Sequence, residues 1–220
     1  MIKNKKFALI FRLIALVTIT LGLINQLGIF HGAIGFSSFI YYTVQSNFLA
    51  FIMFAVLIFR PFPRFEMVCL ANILVTLIVF WLVLAPTLPR FYLFSYDNFS
   101  VHLIAPLLCL ANYILFSEKG RLKYKDVYLT CIFPLFYLVF VYVAGFAGYD
   151  YGMRLIVLEE LSDYLVRGDW VPRRAPYFFL DYSEVGFFVL AYVGGIVAFV
   201  LLLGHGFYFI DRKLKKREVK

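Results

Sequence analysis

Six apolar runs limit what this chain can fold into: roughly 7–30, 38–59, 67–88, 99–116, 126–147 and 186–210. Runs of about 18 residues or more have the length that a helix needs to cross the hydrocarbon core of a bilayer. The fourth run is short, and Pro86 interrupts the third near its end. The composition points the same way, with 63% hydrophobic and only 15% charged residues and a mean hydropathy of +0.87, well above the soluble balance. The expected fold is all-α and integral to the membrane: one domain, 1–220, folded as a six-transmembrane helical bundle.

The net charge of +8 is distributed by topology. If loops alternate between two sides, the side holding the N-terminus collects Lys3, Lys5, Lys6, Arg12, Arg60 and Arg64. It also collects the run from Lys119 to Lys125 and the tail from Arg212 to Lys220, which makes sixteen of the 21 basic residues. Basic residues in short loops stay cytoplasmic, so both termini are expected inside a cytoplasmic (inner) membrane, with six spans between them. The charge then serves orientation and anionic headgroups, and no nucleic-acid partner is expected. The N-terminal stretch imitates a secretory signal, but Asn25-Gln26-Leu27-Gly28 follows it in place of a small-x-small cleavage site. It is read as a retained first span. Cys69, Cys109 and Cys131 lie in or at the ends of spans without CxxC spacing and are read as small hydrophobes.

Most connections are short. The exception is the outer loop 148–185, a length that usually carries structure or function. Between Gly152 and Gly168, Leu155, Val157, Leu158, Leu161, Tyr164 and Leu165 separate from Glu159, Glu160 and Asp163, which fits an amphipathic helix on the bilayer surface. It is either a lid over an outer-facing site or an interfacial linker.

The stretch Phe39-IYYTVQSN-Phe48 places Thr43, Gln45, Ser46 and Asn47 inside an apolar run. Thr43, Ser46 and Asn47 share one helix face, about 7–13 Å along a span that starts near Ser38. His102 enters the fourth span from the same side, and Asn25 and Gln26 close the first. Polar groups from three spans therefore meet in the outer half of the membrane, flanked by Asp97 and Asp181. Pro106 follows His102 by four residues, so the His102 carbonyl loses its helical donor and needs another partner. Hydroxyl and amide side chains also glue helices together; an ionisable residue within a span points to function.

The elements YYTVQSN, SVHLIAPLLCLANYILF and APYFFLD resemble, in order and spacing, a bacterial family of six-span membrane proteins with FT-x-QSN, H-x-x-x-P and YPFLD elements. That family is distantly similar to the androgen-induced, androgen-dependent membrane hydrolases of animals, which cleave fatty acid esters of hydroxy fatty acids with a threonine and a histidine. The resemblance implies Thr43 as nucleophile, His102 as base and Asp181 as the acid of the third element, where Tyr177-FFLD stands in place of a Tyr-Pro pair.

The chemistry is consistent with the residue types. A threonine hydroxyl becomes a nucleophile when an imidazole takes its proton. Asn47 or Asn25 is expected to donate to the oxyanion, with Gln45, Ser46 and Gln26 lining the pocket and Asp97 or Asp181 orienting the ring. The substrates or ligands expected are membrane lipids. P-loop, Rossmann and GxSxG signatures are missing, so nucleotide and classical hydrolase readings have no support, and no cofactor is expected. No metal is expected either, because His31, His102, Asp97, Asp181 and Glu184 lack paired ligand spacing. The alternatives are a non-catalytic carrier or lipid-binding protein and a structural subunit. A carrier needs an inner pathway, and the inner polar groups read as sparse: Asn72, Asn112 and His205.

Overall fold

The computed structural model describes residues 4–29, 36–88, 93–162 and 165–218. Helix α1 (Lys5–Gln26) starts where the Asn4 side chain accepts from the amides of Lys6 and Phe7, an N-cap that satisfies two orphan donors. It ends before Gly28, whose φ of 70° suits glycine. A 3₁₀ turn (Phe36–Ile40) leads into α2 (Tyr42–Phe59). Helix α3 (Pro63–Val79) begins with proline at its first position and continues through a π-helical turn, Phe80–Leu84, to a 3₁₀ turn holding Pro86.

The fourth apolar run is built from three pieces in succession: the short helix α4 (Tyr96–Phe99), a second π-helical turn (Ser100–Ile104) and α5 (Ala105–Phe116). A 3₁₀ stretch, Tyr124–Cys131, feeds α6 (Ile132–Phe146). After the hairpin described below come the short α7 (Tyr182–Val185) and α8 (Phe188–Glu218). Among the described residues, five helical stretches are long and apolar enough to cross a membrane; Ser100–Phe116 is a shorter apolar one. The chain is thus a multi-pass helical membrane protein.

Two corrections follow. The second span begins at Tyr42, not near Ser38, because the chain is extended at Tyr41. Thr43 to Asn47 therefore occupy the first two turns of α2. The loop 148–185 holds no amphipathic helix over Gly152–Gly168; strands β1 (Met153–Ser162) and β2 (Leu165–Pro172) pair there as an antiparallel hairpin. The β-branched and aromatic residues Ile156, Val157, Val166, Trp170 and Val171 favour strands. Register shifts between Val157 and Glu159 and between Glu160 and Ser162 break the two-residue alternation that would have marked them. Asp163 and Tyr164, between the strands, lie outside the described residues.

The chain divides into two compact units, Met1–Pro134 with Val197–Lys220, and Leu135–Ile196. In the second unit, the Tyr142 hydroxyl donates to the Leu180 carbonyl (2.9 Å) and Tyr151 to that of Val141 (2.5 Å). Phe178 and Phe179 pack on Tyr192. In the first unit, Met53, Phe54, Met67, Leu70 and Cys109 form a buried core between α2, α3 and α5. Gly22 lets α1 approach the second π turn: a Cβ there would lie 3.0 Å from Ser100 Oγ.

The basic end of the first unit carries buried polar groups beyond Asn72, Asn112 and His205, so polar groups are not sparse there. Glu66 accepts from Asn112 Nδ2 at 2.6 Å and from the Ser117 hydroxyl. Arg12 donates to Asn112 Oδ1 (3.1 Å) and to the Leu57 carbonyl (2.7 Å). Lys119 donates to the Tyr113 carbonyl at 2.5 Å and lies over the Tyr113 ring. These charges sit on helix termini, Glu66 in the first turn of α3 and Arg12 on the last carbonyls of α2, where the helix dipole favours their signs.

Candidate active site

Thr43 lies in the first turn of α2 and is half-buried. His102 lies in the second π turn and is 7% exposed. The two meet: Thr43 Oγ1 and His102 Nε2 are 3.1 Å apart. The other ring nitrogen, Nδ1, is 3.1 Å from the Asn98 carbonyl. A carbonyl oxygen only accepts, so Nδ1 carries the proton of the neutral ring, and Nε2 presents its lone pair to the threonine hydroxyl.

Several groups hold the imidazole in place. The Phe80 ring stacks on it with centroids 3.7 Å apart and planes 19° apart. The Trp81 indole N–H donates to the His102 carbonyl at 3.2 Å, which is the partner that Pro106 makes necessary. Both aromatic residues come from the first π turn, so two widened turns on neighbouring helices face each other across the histidine. Such turns re-aim side chains and concentrate at functional sites. Each is followed within two residues by a proline, Pro86 or Pro106. Sequence reasoning did not single out Phe80 or Trp81; the one local signal was Pro86, which interrupts that apolar run six and five residues further on.

The other polar residues of α2 act elsewhere. Asn47 is fully buried, and its amide group donates to the carbonyls of Thr43 (2.9 Å) and Val101 (3.0 Å). Both amide hydrogens are thereby spent, and the one atom left without a partner is the acceptor Oδ1. Asn47 is therefore a clamp between α2 and the π turn and not an oxyanion donor. Ser46 Oγ donates to the Thr43 carbonyl (3.0 Å) and pairs with Thr76 Oγ1 (2.7 Å) on α3. Gln45 donates to the Phe39 carbonyl at 2.7 Å and ties down the turn before α2. Neither Ser46 nor Gln45 bonds to the Thr43 hydroxyl or the His102 ring.

Asn25 and Gln26 close α1, where the Asn25 carbonyl accepts from Gly28 (2.9 Å); neither is bonded to the Thr43 hydroxyl or to His102. The orienting group is the Asn98 carbonyl and not a carboxylate. Asp181 accepts from Arg174 N (2.8 Å), Ser183 N (2.9 Å) and Ser183 Oγ (2.5 Å), and so caps its own turn. Asp97 is on α4, with its side chain outside the described residues, as is all of His31. His205 bonds to the Leu201 carbonyl at 2.7 Å. Among the described residues no group of His, Cys, Asp and Glu has the arrangement of a metal site.

No family model matches the chain, and neither does any curated protein or solved structure.

Proposed function

We propose that this protein is an intramembrane hydrolase or acyl transferase of lipid esters, with Thr43 as nucleophile and His102 as general base. The observation that carries it is the 3.1 Å contact between Thr43 Oγ1 and His102 Nε2, on a ring whose tautomer the Asn98 carbonyl sets. As Thr43 Oγ attacks the ester carbonyl, its proton passes to Nε2. Nε2–H then protonates the departing alkoxide, leaving an acyl-threonine and a neutral ring. Water, or a second alcohol in the transferase case, repeats the two proton transfers and releases the acyl group.

Asn47 is occupied, so the donors for the developing oxyanion are the first-turn amides of α2, at Thr43 and Val44. Tyr41 gives that helix end no side-chain cap, and first-turn N–H groups lack intrahelical acceptors. The site belongs to the outer half of the membrane in a six-span arrangement with both termini cytoplasmic. Two features support this. The run from Tyr96 to Phe116 is helical throughout and about 30 Å long at ~1.5 Å per residue. The basic residues gather at the end of the first unit remote from Thr43. The hydroxy-fatty-acid ester class comes from the resemblance to the bacterial six-span family and its distant animal relatives.

The test is ester turnover by purified protein in detergent, on hydroxy-fatty-acid esters and simple aryl esters, beside Thr43→Ala and His102→Ala. Turnover lost in both variants, with unchanged elution and melting, supports the assignment. Turnover that is absent in the wild type, or that survives both changes, sinks it and leaves a non-catalytic lipid-binding protein.

A further inference from the structure

At the end of the first unit remote from Thr43, two segments about ninety residues apart in sequence are fastened together. The Leu122 amide donates to the buried Asp211 carboxylate at 3.2 Å. Gly120, with φ of 78°, lies under the Lys215 stem, so closely that a Cβ at Gly120 would meet Lys215 Cδ. The clasp gathers exposed cations from both segments: Arg121, Lys123 and Lys125 from the loop, and Arg212, Lys213 and Lys215 from α8. Of this group, the neighbouring carboxylates pair only with Arg121. Asp211 and Asp126 are buried and bonded, Asp126 to Arg64 and the Lys123 amide, and Glu118 pairs with Arg121 alone.

A second observation selects the partner. Directly beside the cations, Phe209, Ile210, Tyr124 and Tyr128 expose 45–62% of their surface, and Tyr124 packs on Tyr208, over which Arg212 lies. Apolar and tyrosine side chains adjoining clustered cations match the profile of a bilayer interface, apolar below and anionic above. A soluble anion would have no use for the exposed apolar belt. We infer that the clasp between the 117–125 loop and α8 binds the headgroup of an anionic phospholipid, its phosphate among these cations and its acyl chains along Phe209 and Ile210.

The experiment is native mass spectrometry of the full-length, delipidated protein with phosphatidylglycerol, phosphatidylcholine or glycerol 3-phosphate. The variant is Lys125→Gln/Lys213→Gln/Lys215→Gln, in which glutamine keeps the three stem carbons that pack over Gly120. The expected result is preferential retention of phosphatidylglycerol, weakened about a hundredfold in the triple variant for three near-surface charges and restored when arginine replaces the same lysines. Equal retention of phosphatidylcholine, retention that survives the triple change, or equal binding of glycerol 3-phosphate would each overturn it. Loss in the arginine variant would overturn it too, because charge would then not be the cause. The outcome is independent of the Thr43–His102 dyad, which is carried by α2 and the second π turn and includes none of the substituted residues.

Discussion

The Trp81 indole N–H donates to the backbone carbonyl of His102 at 3.2 Å and replaces the helical donor that Pro106 lacks. The histidine is thereby fixed through its backbone as well as its ring. Phe80, the adjacent residue, holds the ring face. Trp81→Phe removes the donor and keeps the aromatic bulk. It is expected to lower stability by about 1–2 kcal/mol and to lower kcat more than it raises KM. Adding Pro106→Ala, which returns a backbone N–H, should recover much of the melting temperature. If the single variant melts as the wild type does, the hydrogen bond has no structural weight.

Removing the base is expected to cost about 10²–10⁴-fold in turnover. Thr43→Ser should retain measurable rate where Thr43→Ala and Thr43→Val do not, because only serine keeps the hydroxyl. In the proposed reaction the neutral ring is the active form, so turnover should rise with pH through a single ionisation and then level off. An acid limb that persists unchanged in an enzyme still active after His102→Gln would assign that ionisation to another group.

Asn47 separates the clamp from the catalytic role. An oxyanion donor, once removed, costs about 10²–10³-fold in kcat at unchanged stability. A clamp costs stability, because the Val101 carbonyl loses its amide partner in a buried site. Asn47→Ala is expected to destabilise by about 1–3 kcal/mol, and Asn47→Asp by more, since a carboxylate would face two carbonyl oxygens. Thermal unfolding in detergent, read beside kcat on the folded fraction, distinguishes the two roles.

Glu66 anchors the opposite end. Glu66→Ala would leave the Asn112 amide and the Ser117 hydroxyl without their shared acceptor and is expected to cost about 2–4 kcal/mol. Glu66→Gln keeps one carbonyl acceptor and should cost less. Neither should change kcat of the folded protein, and a loss of kcat out of proportion to stability would show that this network reaches the dyad.

Gly22 sets the spacing between α1 and the turn that carries His102. A Cβ there would press on Ser100 Oγ at 3.0 Å and Ser100 Cβ at 3.3 Å, so Gly22→Val is expected to cost about 1–3 kcal/mol through overpacking. It should also reduce turnover, because Ser100 precedes His102 by two residues. Gly194→Ala, where an added Cβ meets nothing within 4 Å, is the matched control in a thermal melt.

Sequence by itself determined the membrane class, because in lipid each backbone group must find a partner within its own helix, and long apolar runs therefore declare themselves locally. It also placed Thr43 and His102 among the polar groups of the spans, the resemblance named them as nucleophile and base, and Pro106 showed that the His102 carbonyl needed a new donor. The tertiary structure decided which groups touch. The pairing of Oγ1 with Nε2 depends on the register of α2 against a π turn, and one misplaced residue on a helix rotates a side chain by about 100° (3.6 residues per turn). The same packing spends the Asn47 amide on two carbonyls, gives the orienting role to Asn98 and brings Arg12 and Glu66 to one polar cluster from separate helices. The hairpin was hidden for another reason: two register shifts erased the alternation by which a strand is recognised in sequence.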